Sequence, residues 1–159
     1  MKFNLNYVLA ATVAAVGVGA LAPAALASPP SGFTPTVLVK ANFDQTVHLN
    51  SDKVKFQTKD PTDVMVQQIV LAPGGSSGWH HHPGIVIIAV KSGSITVWDS
   101  DCNKTTYGPG LPNGAVSIER GDKPGLVTSA DGATTYTTFV APNADPPVFR
   151  IEDDAPPCA

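Results

Sequence analysis

Beyond residue 35 the chain is built from short runs in which apolar and polar positions alternate, or which turn wholly apolar, each ended by Gly, Pro, Asn or Asp. Period-two alternation predicts strands, because successive side chains on a strand point to opposite faces. The pattern predicts strands at 36–39, 46–49, 54–58, 63–71, 78–82, 85–91, 94–99, 115–118, 126–129 and 133–140. Asn50-Ser51-Asp52 and Ser92-Gly93 read as hairpin turns, and PNADPP (142–147) ends the last run. No window carries a convincing helical period. Eight to ten short strands joined by tight turns predict an all-β sandwich or closed barrel in one domain.

Two stretches stand outside that pattern. Residues 1–27, MKFNLNYVLAATVAAVGVGALAPAALA, have a basic start, a long apolar run and small residues at Ala25 and Ala27. This is the layout of a Sec-type secretory signal cleaved after Ala27, which places the protein outside the cell or in the periplasm or envelope. The rival reading is an uncleaved membrane anchor, since 7–27 is nearly long enough to span a bilayer; Pro23 and the Ala-Leu-Ala ending favour cleavage, with no stable membrane span afterwards. Residues 28–35, SPPSGFTP, read as a polar, flexible lead-in to a barrel domain over 36–159.

Composition agrees with this picture. Only 14% of the 159 residues are charged and the net charge is −3, so no clustered basic face is available for nucleic acid. Glu occurs only at 119 and 152. Export into an oxidising compartment turns the two cysteines, Cys102 and Cys158, into an expected disulfide that ties the C-terminal tail to a mid-chain loop. Nucleophile elbows, phosphate-binding loops and dinucleotide fingerprints are absent from the sequence.

The chemistry concentrates in Gly74–Gly93, GGSSGWHHHPGIVIIAVKSG. His80 and His82 share a strand face, while His81 has the opposite parity and faces out. Gly74, five residues, His80-x-His82, three residues, position 86, six residues, Gly93 is the spacing of the first motif of the cupins, and the chain resembles that family. Trp79, Pro83-Gly84 and Ser92-Gly93 suit the resemblance, as do the paired cysteines, which small exported bacterial cupins with a GWHxHPG motif also carry. The resemblance implies a double-stranded β-helix, or jelly-roll barrel, with an interior site for a small molecule and a divalent metal, whether Fe, Mn, Zn, Cu or Ni. It also implies a homodimer paired through sheet edges.

The ligand set departs from the family pattern. Val86 stands where the family has a Glu ligand. In the best register of the second motif, from Gly114, Arg120, Asp122, Gly125 and Ser129 replace its Pro, Gly, His and Asn. The expected metal ligands therefore shrink to His80 and His82, with His48 on an upstream strand as candidate third ligand. Val86 and Gly125 would line an enlarged, more apolar pocket, with Trp79 and Trp98 packing at its rim. The resulting expectation is an exported cupin-domain protein whose barrel binds a small molecule over a degenerate His-x-His site. A dioxygenase-like metal-dependent oxidoreductase and a metal-free binding or structural protein are the alternatives, and catalytic residues remain unassigned.

Overall fold

The computed structural model describes residues 28–158, so the secretory segment expected over 1–27 lies outside the described residues. The described chain contains strands and no helix: β1 (Ser31–Phe43), β2 (His48–Asn50), β3 (Lys55–Gln57), β4 (Thr62–Ser76), β5 (His80–His81), β6 (Ile85–Gly93), β7 (Ile95–Trp98), β8 (Lys104–Tyr107), β9 (Val116–Glu119), β10 (Leu126–Ser129), β11 (Ala133–Pro142) and β12 (Ile151–Glu152). Two of these lie outside the runs anticipated from patterning. KTTY of β8 offers one aromatic among polar residues, and β12 is only two residues long. Both are held by pairing with a neighbour rather than by their own apolar periodicity. Residues 31–35, anticipated as a lead-in, form the first rungs of β1 against β4.

The pairings nest. β4 pairs β11, β6 pairs β9 and β7 pairs β8, all antiparallel, and a bridge between His80 and Gly125 supplies the rung between the first two. This is one long hairpin with β7–β8 at its tip. The end of β4 with β10 continues the same hairpin, and two further pairs, β6 with β11 and β7 with β10, wind it around itself. A hairpin wound this way is a jelly-roll barrel, nearly closed, in which few strand edges are left open. β1 extends the sheet beyond β4, and β2–β3 form a separate small hairpin.

The inward residues of the two curved halves make the core. Met65, Ile69 and Leu71 of β4, Val86, Ile88 and Val90 of β6, and Phe139 of β11 pack with Ile95 of β7 and Val127 of β10. Phe149, from the C-terminal segment, joins the same cluster. Removing this apolar surface from water is the main favourable term for a chain with so few ion pairs. Two chain reversals near the site approach so closely that a side chain would not fit: a Cβ on Gly121 would lie 1.8 Å from the Gly84 carbonyl oxygen. That contact locks the Pro83-Gly84 turn after His82 to the turn after β9, and His82 N donates to the Gly121 carbonyl at 3.0 Å.

The C-terminal segment crosses one end of the barrel. β12 pairs with β5, Asp153 N donates to the Trp79 carbonyl at 3.1 Å, and His81 Nδ1 lies 2.8 Å from Asp153 Oδ2. Cys158 is bonded to Cys102, with Cα atoms 6.0 Å apart, so the expected disulfide is present.

Candidate metal centre

His80 and His82 point into the barrel, as their parity requires, and both are buried. The rings meet edge to face with centroids 4.7 Å apart. Each Nδ1 contacts a backbone carbonyl oxygen: His80 with Gly78 at 2.8 Å, His82 with Phe149 at 2.5 Å. A carbonyl only accepts, so each Nδ1 carries a proton, and Nε2 is the ring nitrogen left for another partner. This second contact, fixing tautomer and ring orientation, is what a metal-binding imidazole requires. Burial, followed by the positive charge of Arg150, lowers the pKa of His80 to about 4, so that its ring is neutral across the physiological range.

The third corner is Glu119. Its Oε2 lies 3.5 Å from His82 Nε2, and one donor atom from each of His80, His82 and Glu119 falls within 4.8 Å of the others. The second oxygen, Oε1, is buried without a hydrogen-bond partner. A carboxylate oxygen in that state is costly unless something positive or protic faces it. Two imidazoles and a carboxylate on one side of a cavity match the donor set of a two-His-one-carboxylate site, which leaves the opposite coordination positions open. The residues present therefore fit a divalent first-row metal.

The expectation that the site had lost its carboxylate is corrected by strand pairing. Val86 on β6 faces Glu119 on β9 directly across a rung. Cross-strand partners share a face, so a carboxylate on β9 reaches the space that a Glu at position 86 would have filled. His48 is not brought to this triad. It is exposed on the β2–β3 hairpin, paired with Gln57, outside the barrel. Patterning points the wrong way for Glu119: alternation along VSIE would turn the apolar Val116 and Ile118 inward, whereas the fold exposes both and turns Ser117 and Glu119 toward the interior.

The triad opens on a cavity of about 120 Å³. Its wall is largely apolar, from Phe33, Met65, Ile69, Val86, Phe139 and Phe149, with Gln67, Thr135, Thr137 and Arg150 as polar exceptions. Among the expected pocket residues, Val86 lines this space, and Trp79, Trp98 and Gly125 do not. Trp79 is buried behind the site, where its backbone holds Asp153 and Ser28. Trp98 turns away, donating from Nε1 to Thr128 Oγ1 at 3.1 Å beneath the Lys104 ammonium. Gly125 serves through its backbone, exchanging hydrogen bonds of 3.0 and 2.8 Å with His80.

No protein-family model matches the chain, and no curated protein matches its sequence. Among solved structures it is similar to a cupin superfamily protein of Desulfitobacterium hafniense, at 13% identity over 82% of this chain and 99% of that one, with a TM-score of 0.48. It is similar also to a cupin domain of Bordetella pertussis, at 15% identity over 71% and 96% with a TM-score of 0.45. A third is the Cupin_2 domain of an XRE-family transcriptional regulator from Enterobacter cloacae, at 18% identity over 72% and 100% with a TM-score of 0.44. These structural neighbours are cupin-domain proteins, and the likeness is one of fold.

Proposed function

We propose that this chain is an exported cupin that binds a divalent metal through His80 Nε2, His82 Nε2 and the Glu119 carboxylate, and that it takes a small molecule into the apolar cavity beside the metal. The observation that carries the reading is the pair of Nδ1–carbonyl contacts, which hold two buried imidazoles beside the same carboxylate. A metal bound there would act as a Lewis acid toward a ligand in its open positions. The chain's own residues fix the imidazole tautomers and exclude bulk water. The two-His-one-carboxylate set favours iron and, as an enzyme reading, oxidation of the bound molecule; Mn, Zn, Cu and Ni remain within reach of the same donors.

Export rests on the signal-like residues 1–27 and is supported by the disulfide, which persists in oxidising compartments. The test of the metal reading is elemental analysis of native protein. One equivalent of a first-row metal is expected, and His80→Ala, His82→Ala and Glu119→Gln should each lose it. A wild-type protein that is purified metal-free and takes up none of Fe(II), Mn(II), Ni(II), Cu(II) or Zn(II) would overturn it in favour of a metal-free binder.

A further inference from the structure

Arg150 is the one cationic side chain of the Lys/Arg type on a largely apolar cavity wall. It enters from the C-terminal segment, one residue after the buried Phe149, and lines the same space as the triad. Its partners use only part of the guanidinium. Nη2 donates to the Ser77 carbonyl at 2.7 Å and to Glu152 Oε2 at 2.8 Å, and Nε donates to Glu152 Oε1 at 2.5 Å. Nη1, with two N–H groups, makes no hydrogen bond to any described residue. Glu152 is half-exposed and holds the guanidinium through Nε and Nη2, which leaves Nη1 for another partner.

The charge of the pocket points the same way. Glu119 and Arg150 bring opposite charges to this space, and a divalent cation at the triad would add two positive charges, of which Glu152 offsets one. Positive charge in a water-poor, apolar space selects an anion that brings apolar surface with it. The size of the space sets the body. A dry cavity of roughly 150 Å³ accommodates benzene, so the space here suits a group no larger than one ring or a short alkyl chain. Two orthogonal demands result: a planar anionic head for the guanidinium fork, and a compact apolar body for Phe33, Ile69 and Phe139.

We propose that the ligand is a small monocarboxylate, its carboxylate bound by Arg150 and its apolar body held in the cavity against the metal centre. This rests on the metal reading for the excess positive charge, and on Arg150 alone for recognition of the head group. Glu152 is the internal competitor for Arg150, and its removal should improve binding.

Calorimetric titration of the full mature protein, loaded with the metal it carries, would use butyrate and benzoate as probes, each against its neutral amide. Both acids, or the better-fitting one, should bind wild type; the amides should bind at least about tenfold more weakly. Arg150→Gln should weaken the acid by roughly tenfold or more while keeping the wild-type metal content, and Glu152→Gln should tighten it by about two- to fivefold. Equal affinity for acid and amide, equal affinity of wild type and Arg150→Gln, or no acid binding by wild type would each overturn the proposal. Should Arg150→Gln fail to fold, the Glu152→Gln comparison decides alone, and unchanged or weaker acid binding there counts against the proposal. Metal content, read on the same samples, separates the two ideas: acid binding that depends on Arg150 in a protein that takes up no metal would sink the metal centre and leave the carboxylate site standing.

Discussion

At the scale of single residues, His80 carries the clearest consequence. Its ring is 7% exposed and its pKa falls to about 4, against 6.5 in an unfolded chain, chiefly because burial penalises the charged form. Above pH 6.5 the ring is neutral in both states and costs the fold nothing. Between 6.5 and about 4 the unfolded chain takes up a proton that the folded one refuses, so stability falls as pH falls. The integrated loss is about 3 kcal/mol and is complete near pH 4. Denaturant titrations in chelator at pH 7.5, 5.5 and 4 should show this decline, and His80→Gln should flatten it. A wild-type midpoint as high at pH 4 as at 7.5 would mean that the ring is protonated in the folded protein or open to water. The parity of His80, His81 and His82 was readable from the sequence, since alternation on a strand is purely local. The Nδ1 contact of His82 was not, because its acceptor is the Phe149 carbonyl, 67 residues away in the chain.

At the scale of strands, the site depends on one rung. A cross-strand pair places two side chains on one face, their Cβ atoms roughly 5 Å apart. That geometry is why Val86 and Glu119 are exchangeable in principle: β6 and β9 offer the same volume from two sides. The existence of both strands was legible, because IVIIAV and AVSI carry strong β-branched patterning. Their mutual register was not. The second-motif register from Gly114 runs along the chain through positions 120, 122, 125 and 129, whereas Glu119 meets the two histidines across the sheet from position 86. Likewise, no local signal distinguishes a barrel strand from the side hairpin that carries His48. The rung makes a sharp prediction. Glu119→Val alone should abolish metal uptake, and Val86→Glu added to it should restore a measurable part by returning the carboxylate from the facing position. Isothermal titration with Zn(II) or Fe(II) checks both. A double variant no better than Glu119→Val would show that β9, and not merely the rung, is needed to aim the carboxylate.

At the scale of the whole molecule, the barrel half built by β4 to β11 does not complete its own site. The C-terminal segment supplies the acceptor for His82, the wall residue Phe149 and the cation Arg150. It is held over the barrel by the short β5–β12 pairing, the His81–Asp153 contact and the Cys102–Cys158 bond. The segment also docks through Phe149 in the core, the Phe149 carbonyl on His82 and the Arg150–Ser77 hydrogen bond, while the β5–β12 ladder is only two residues long and the partly exposed His81–Asp153 pair adds at most about 1 kcal/mol. Closing a 56-residue loop by a disulfide is worth about 4 kcal/mol in the chain-entropy account, so the covalent link is a large part of the attachment. Reduction should therefore act on the site as well as on global stability, because loosening the segment frees the Phe149 carbonyl that fixes the His82 tautomer. Cys102→Ser/Cys158→Ser protein should unfold at lower denaturant, by up to about 4 kcal/mol, and at a temperature where it remains folded it should bind metal more weakly than the oxidised wild type. Lower stability with unchanged metal affinity would show that the segment stays docked through its backbone contacts alone. Loss of both would make the site one that forms fully only where thiols are oxidised.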